Sequence, residues 1–206
     1  MESKLSVDNV QRLLIFFGLT GSGKSYLASR WAEKNGFAYF NSDVIRKQLV
    51  GIVPTQQCRD GINSGFYHPE YSKKTYEEML NCALGALEDG HPIAILDASF
   101  HLQNQRQRVI DTFSRDYQVL FIYCFCSENV TLQRLKKRLA EPDAVSDGRL
   151  EVYLDQLKKF EYPVEIPNEL LLELDTDASV EHLIARLEDF VTSAPSADRK
   201  DASPNQ

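Results

Sequence analysis

None of the four cysteines in this 206-residue chain forms a CxxC pair. A structural zinc site or disulfide framework is therefore not expected, and Cys58, Cys82, Cys124 and Cys126 read as buried, reduced thiols. Positive charge is also short. Lys and Arg number 23 against 30 Asp and Glu, and the net charge of −7 repels long phosphate backbones while leaving room for a local basic site. No apolar run reaches the roughly 18 to 20 residues a membrane helix needs, and the opening MESKLSVDNVQR has no signal-peptide core. A cytoplasmic location without a membrane partner is the expectation. Internal repeats are absent.

What is present is enough apolar residue, 43%, for one core of ordinary size. Short apolar runs alternate with longer helical patterns, the signature of a parallel sheet with crossover helices. Strands are expected at 12–17, 37–41, 93–97, 118–125 and 170–174; interiors such as LLIFF and VLFIYCF suit strands covered on both faces. Helices are expected at 24–35, 43–49, 72–89, 103–115, 128–140, 149–160 and 179–192. For 72–89, Ser72 is the expected cap, Tyr76, Met79, Leu80, Ala83, Leu84 and Leu87 form one stripe, and Gly90 with Pro92 ends it. Residues 51–70 read as an irregular excursion long enough to carry function. The domain is expected to span 1–192, with a disordered polar tail at 193–206.

Directly after the first strand comes GLTGSGKS, residues 18–25. Gly18, Gly21 and Gly23 let the backbone bend so that N–H groups point inward at phosphate oxygens, with Thr20 and Ser22 between them. Lys24 then offers a charge to the β- and γ-phosphates, and Ser25 offers a hydroxyl to Mg²⁺. A helix opening here turns its positive end toward a nucleoside triphosphate such as ATP. The strand before and the helical pattern after supply the context this P-loop motif requires.

Ligands of an open parallel sheet gather beyond the carboxyl ends of its strands. After strand two, FNSDVIRKQL gives Ser42 as a cap, Asp43 in the first turn and Arg46 three residues on. Asp43 can accept the proton of an attacking hydroxyl while Arg46 holds the acceptor; an acidic first-turn residue beside a surface Arg is the plainer reading. After strand three, ILDASF leaves Asp97 as the first exposed polar group, positioned to meet Mg²⁺ opposite Ser25, with Arg106 downstream. Later, LQRLKKRL puts Arg134 and Arg138 four apart on one helix, so both can close over transferring phosphates. The Pro- and Gly-containing stretch that follows reads as a movable lid at about 134–150 that excludes water.

Together these motifs resemble the small P-loop kinases, in particular the bacterial predicted kinases with an AAA-type ATP-binding domain and their relatives the polynucleotide 5′-hydroxyl kinases. GLTGSGKS, NSDVIRKQL, ILDASF and the RLKKR pair followed by AVSDGRLEVYLDQLKKFE carry the likeness over roughly residues 12–165. The resemblance implies a three-layer α/β P-loop fold with a five-stranded parallel sheet, adenylate-kinase-like, with a helical lid. It also implies ATP and Mg²⁺, Asp43 as base, Arg46 as acceptor ligand, and Arg134 with Arg138 as lid arginines. One departure matters. Polynucleotide kinases carry Asp-Asn-Thr-Asn after strand three, whereas this chain has Asp97-Ala98-Ser99-Phe100. A methyl and a phenyl group replace two amides, which turns the expectation from nucleic-acid ends toward a small hydroxylated acceptor. Its contacts are expected within 46–76, where Tyr67, His68, Tyr71 and Tyr76 lie; His68 and His101 read as ordinary surface groups. A polynucleotide acceptor, or an ATP-binding module that transfers nothing, stays open at this level.

Overall fold

A computed structural model describes residues 10–53, 69–139 and 150–194. Its elements run β1 (Arg12–Phe17), α1 (Lys24–Asn35), β2 (Ala38–Asn41), α2 (Ser42–Leu49), α3 (Pro69–Glu88), β3 (Ile93–Asp97), α4 (Gln103–Phe113), β4 (Gln118–Phe125), α5 (Glu128–Leu139), α6 (Leu150–Lys159), β5 (Leu171–Asp175) and α7 (Val180–Ser193). The five strands form one parallel sheet in the order β2-β3-β1-β4-β5. Strand side chains alternate between faces, so β1 feeds two cores at once. Leu13, Ile15 and Phe17 pack with Met79 of α3 and Val109 and Phe113 of α4. Leu14 and Phe16 pack on the other face with Leu27 and Trp31 of α1 and Leu187 of α7. This is the three-layer α/β fold expected, and it explains why β1 is buried at every position.

The boundaries carry several corrections. Helix α3 begins at Pro69, three residues before the expected cap, so Ser72 lies inside it and the irregular reading of 51–70 fails at its end. Proline suits a first helical turn, where its missing N–H has no partner to lose. Ser42 is not the cap of α2 either; Asn41 is, its side chain accepting from the N–H groups of Asp43 and Val44. At the other end, Ser193 closes α7 and Ala194 packs into the core, so these two residues, expected in the tail, belong to the folded domain. The expected lid divides: residues 134–139 continue α5, Leu150 opens α6, and 140–149 lie outside the described residues, as do Cys58, Tyr67, His68 and the tail beyond 194. Cys124 is buried and burial pushes its thiol up to about 12, whereas Cys82 and Cys126 are half-buried; all three are free.

Parallel strands end at one edge of the sheet, and here the edge is assembled by register. Phe16 of β1 and Asn41 of β2 both stand opposite Asp97 of β3. The loop after β1, the cap of α2 and the end of β3 are thereby brought together, beside the point where the chain order reverses across the sheet.

Candidate active site

The loop after β1 is shaped by glycine. Gly18, Gly21 and Gly23 have φ of 139°, 83° and 86°, which side chains rarely tolerate. A Cβ on Gly18 would stand 2.1 Å from the Cys124 carbonyl oxygen, so the loop lies directly against β4. The Gly18 N–H donates to the Ser99 carbonyl at 3.1 Å, joining the loop to the segment after β3. From behind, Thr176 Oγ1 donates to the Ser22 carbonyl at 2.6 Å. Helix α1 then starts at Lys24 with no side-chain cap and no acidic residue in its first turn, so its end is electropositive.

A cavity of about 550 Å³ opens in front of this loop, and Thr20, Lys24, Ser25, Asp43, Arg46, Asp97 and Arg138 all line it. Lys24, Asp43, Arg46, Asp97 and Arg138, carried on four separate elements, thus share one hollow. Lys24 Nζ donates to the Leu19 carbonyl at 3.3 Å. Burial lowers the Lys24 pKa, and the nearby carboxylates of Asp97 and Asp43 oppose that shift. Arg46 Nη1 donates to Asp43 Oδ1 at 3.0 Å, the pairing expected three residues apart on one helix.

Asp97 departs from expectation in a useful way. Rather than the first exposed group after β3, it is wholly buried. Its Oδ2 accepts from the Tyr39 hydroxyl at 2.5 Å and from Asn41 Nδ2 at 2.7 Å. Oδ1 has no hydrogen-bond partner among the described residues. A buried carboxylate oxygen without a partner, in the same hollow as the Ser25 hydroxyl, fits a hard cation that seeks oxygen, such as Mg²⁺. Burial and the Asp97 charge raise the Tyr39 pKa, so the phenol remains the donor.

Two expected ligands have other partners. Arg106 is not among the residues lining the cavity: it is fully buried, Nε donating to Glu165 at 2.6 Å and Nη1 to the Phe100 carbonyl at 2.8 Å. It holds the segment after β3 from behind, because helix α4 turns its first apolar face, and Arg106 with it, toward the core. Arg134 also stays out of the cavity. Its guanidinium is held by the Thr176 hydroxyl and carbonyl at 2.9 and 2.8 Å, and by the Gly21 carbonyl at 3.4 Å. Of the two arginines on α5, only Arg138 reaches the hollow.

Further cavity residues follow β3, where spacing assigned no role to Ser99 or His101 in the site. Phe100 is a non-glycine residue at φ 38°, a conformation that marks a functional or strained turn. It brings Ser99 and His101 to the same wall. Tyr76 accepts from the Phe100 N–H at 3.3 Å and bonds Ser99 Oγ at 3.1 Å, which in turn bonds His101 Nδ1 at 3.0 Å. His101 is therefore a half-buried member of the cavity wall and not a surface group; burial lowers its pKa, opposed by the Asp155 charge. Tyr76 lines the cavity as expected, whereas Tyr71 is exposed outside it. From α6, Gln156 reaches across to the loop and accepts from the Thr20 N–H at 2.8 Å.

A family model described as an AAA domain matches residues 13–163, most of the chain and all of the site described above. The chain belongs to this AAA-domain family. No curated protein matches it significantly. Among solved structures, this AAA-domain chain is similar to a sugar kinase from Janibacter sp. HTCC2649, with a TM-score of 0.64 and 18% identity over 91% of this chain and 98% of that one. A gluconokinase from Sinorhizobium meliloti 1021 gives a TM-score of 0.57 and 15% identity over 92% and 93%. The APS kinase of Mycobacterium tuberculosis, solved with AMPPNP and APS, gives 0.58 and 17% over 89% and 98%. At these identities the likeness is one of fold, and it extends over nearly the whole of each neighbour. No described helix is long and apolar enough to cross a membrane.

Proposed function

We propose that this protein is an ATP-dependent phosphotransferase that moves the γ-phosphoryl group to a hydroxyl of a small molecule. The observation that carries the reading is the convergence of Lys24, Asp43, Asp97 and Arg138 on one cavity. Kinases of sugars, gluconate and APS among its structural neighbours support a small-molecule acceptor. The backbone of residues 18–25 holds the phosphates, and Asp43 accepts the proton of the attacking hydroxyl. The hydroxyl oxygen bonds to the γ-phosphorus as the bond to the leaving β-phosphate oxygen breaks, releasing ADP and a phosphomonoester. Lys24 and Arg138 offset the charge on the phosphoryl oxygens, and Arg46 keeps the Asp43 carboxylate oriented. Ser25 and Asp97 would hold Mg²⁺, which supplies charge neutralisation at the β- and γ-phosphates when bound.

A polynucleotide acceptor is the less supported reading, because Ala98 and Phe100, which stand where amides are found in polynucleotide kinases, are both buried in the core. A non-catalytic nucleotide-binding module would have no need of Asp43 beside the phosphate loop. The deciding measurement is ADP release from the full-length chain with and without a panel of sugars, sugar acids and nucleosides. Release that depends on an acceptor, and that Asp43→Ala lowers by about 10²-fold or more while ATP still binds, is the expected result. Turnover indifferent to both acceptor and substitution refutes transfer.

A further inference from the structure

The phosphate loop has an internal ligand. The Thr20 N–H points at Gln156 Oε1, 2.8 Å away and 136 residues later in the chain. Thr20 is buried, so its N–H must be paired within the protein or pay a desolvation cost. A glutamine amide oxygen resembles a phosphate oxygen in being a strong acceptor, and differs in carrying no net charge. The lysine of the loop is likewise turned inward, Lys24 Nζ resting on the Leu19 carbonyl at 3.3 Å. Two donors of the cradle are therefore satisfied by the chain itself.

We propose that Gln156 is a built-in competitor of the triphosphate, occupying the Thr20 N–H until a phosphate oxygen replaces it. The inference rests on the phosphate-cradle part of the proposed function and not on phosphoryl transfer. Replacement is favourable, because an N–H bond to an ionised oxygen is about twice as strong as one to a neutral carbonyl. Breaking the internal bond is nevertheless a cost that every nucleotide meets, so Gln156 sets affinity without preventing binding. The exchange also reaches the far wall of the cavity. Gln156 shares α6 with Val152, Asp155 and Lys159, all of which line the hollow, so a nucleotide that displaces Gln156 acts directly on the helix facing the acceptor side.

The consequence has an unusual sign: removing a side chain that touches the phosphate loop tightens nucleotide binding. Calorimetric titration of the full-length chain with ADP and with AMPPNP tests it. Gln156→Ala and Gln156→Met, the latter keeping length and bulk without the amide, should each bind at least one of these nucleotides about fivefold more tightly than wild type, the effect of one net hydrogen bond. Gln156→Glu should bind about tenfold more weakly, since its carboxylate takes the same N–H more strongly and repels phosphate. Thermal melting of each variant reports that the fold is kept. Equal or weaker binding by both the Ala and Met variants overturns the role of Gln156 alone. A wild type that binds neither ADP nor AMPPNP overturns the phosphate cradle, and this proposal with it.

Discussion

Tyr39 of β2 lies two residues before Asn41, which stands opposite Asp97 on β3, and its phenol donates diagonally to the buried Asp97 carboxylate at 2.5 Å. Asn41 adds a second donor at 2.7 Å to the same oxygen and, with its own Oδ1, caps α2. One carboxylate oxygen is thus fully occupied by the scaffold while the other remains available. The same asparagine that orients Asp97 also starts the helix carrying Asp43. The two acidic groups of the site are therefore positioned by one strand end.

Tyr39→Phe removes a hydrogen bond to a buried carboxylate. Loss of about 1–3 kcal/mol of unfolding free energy is expected in urea denaturation. The Mg²⁺ concentration giving half-maximal turnover should rise, because Asp97 is no longer held with Oδ1 outward. A Phe variant with unchanged stability and unchanged Mg²⁺ dependence would contradict the positioning role.

Lys24→Ala deletes the one cationic side chain of residues 18–25. Triphosphate affinity and turnover should both fall, turnover more steeply, because in the proposed function this charge offsets that of the phosphoryl oxygens. Titration with AMPPNP alongside turnover measurements separates the two effects. Equal AMPPNP affinity in wild type and variant would place the phosphates elsewhere.

Arg106 and Glu165 form a buried pair, their side chains 0% and 8% exposed. Removing the arginine strands a buried carboxylate, so Arg106→Ala should lose about 3–5 kcal/mol of stability. The double variant Arg106→Met/Glu165→Met should recover part of that loss. An acceptor ligand would behave differently, raising KM for the acceptor with stability intact; that outcome would return Arg106 to the cavity.

His101 has its pKa lowered chiefly by burial, with Asp155 and Glu161 opposing and Lys159 and Arg106 reinforcing. The unfolded chain therefore takes up a proton at this residue at higher pH than the folded one does. Above the unfolded value of about 6.5 the group does not change stability with pH; as pH falls below that value, stability is lost until the folded pKa is passed. The melting temperature of wild type should drop more between pH 7 and 5 than that of His101→Gln. Parallel curves would show that His101 does not titrate differently on folding.

Much of the site was legible in the linear chain because its signals are local. A glycine-rich turn between a buried strand and a helix has few structural uses other than bending around an anion, and Lys24, Asp43, Asp97 and Arg138 each stand at a spacing from a strand or helix end that marks them in the linear chain. Where sequence reading went astray, the competing choice was also local and chemically similar. Asn41, Ser42 and Asp43 are all capable of capping a helix, and only the register of β2 against β3 selects Asn41.

The amino-acid sequence by itself determined the alternation of elements, the glycine-rich loop after β1 and the acidic groups after strand two and at the end of strand three, because helix period, strand burial and glycine conformation act over a few residues. Tertiary structure alone decided which charges are spent on the scaffold. Arg106 and Arg134 have the same local credentials as Arg138, yet Glu165, 59 residues from Arg106, and Thr176, 42 residues from Arg134, claim them. The contact of Gln156 with Thr20 spans 136 residues and leaves no periodic trace. Hydrogen bonds between distant segments depend on where the packed sheet and helices bring them, and no rule of spacing encodes that meeting.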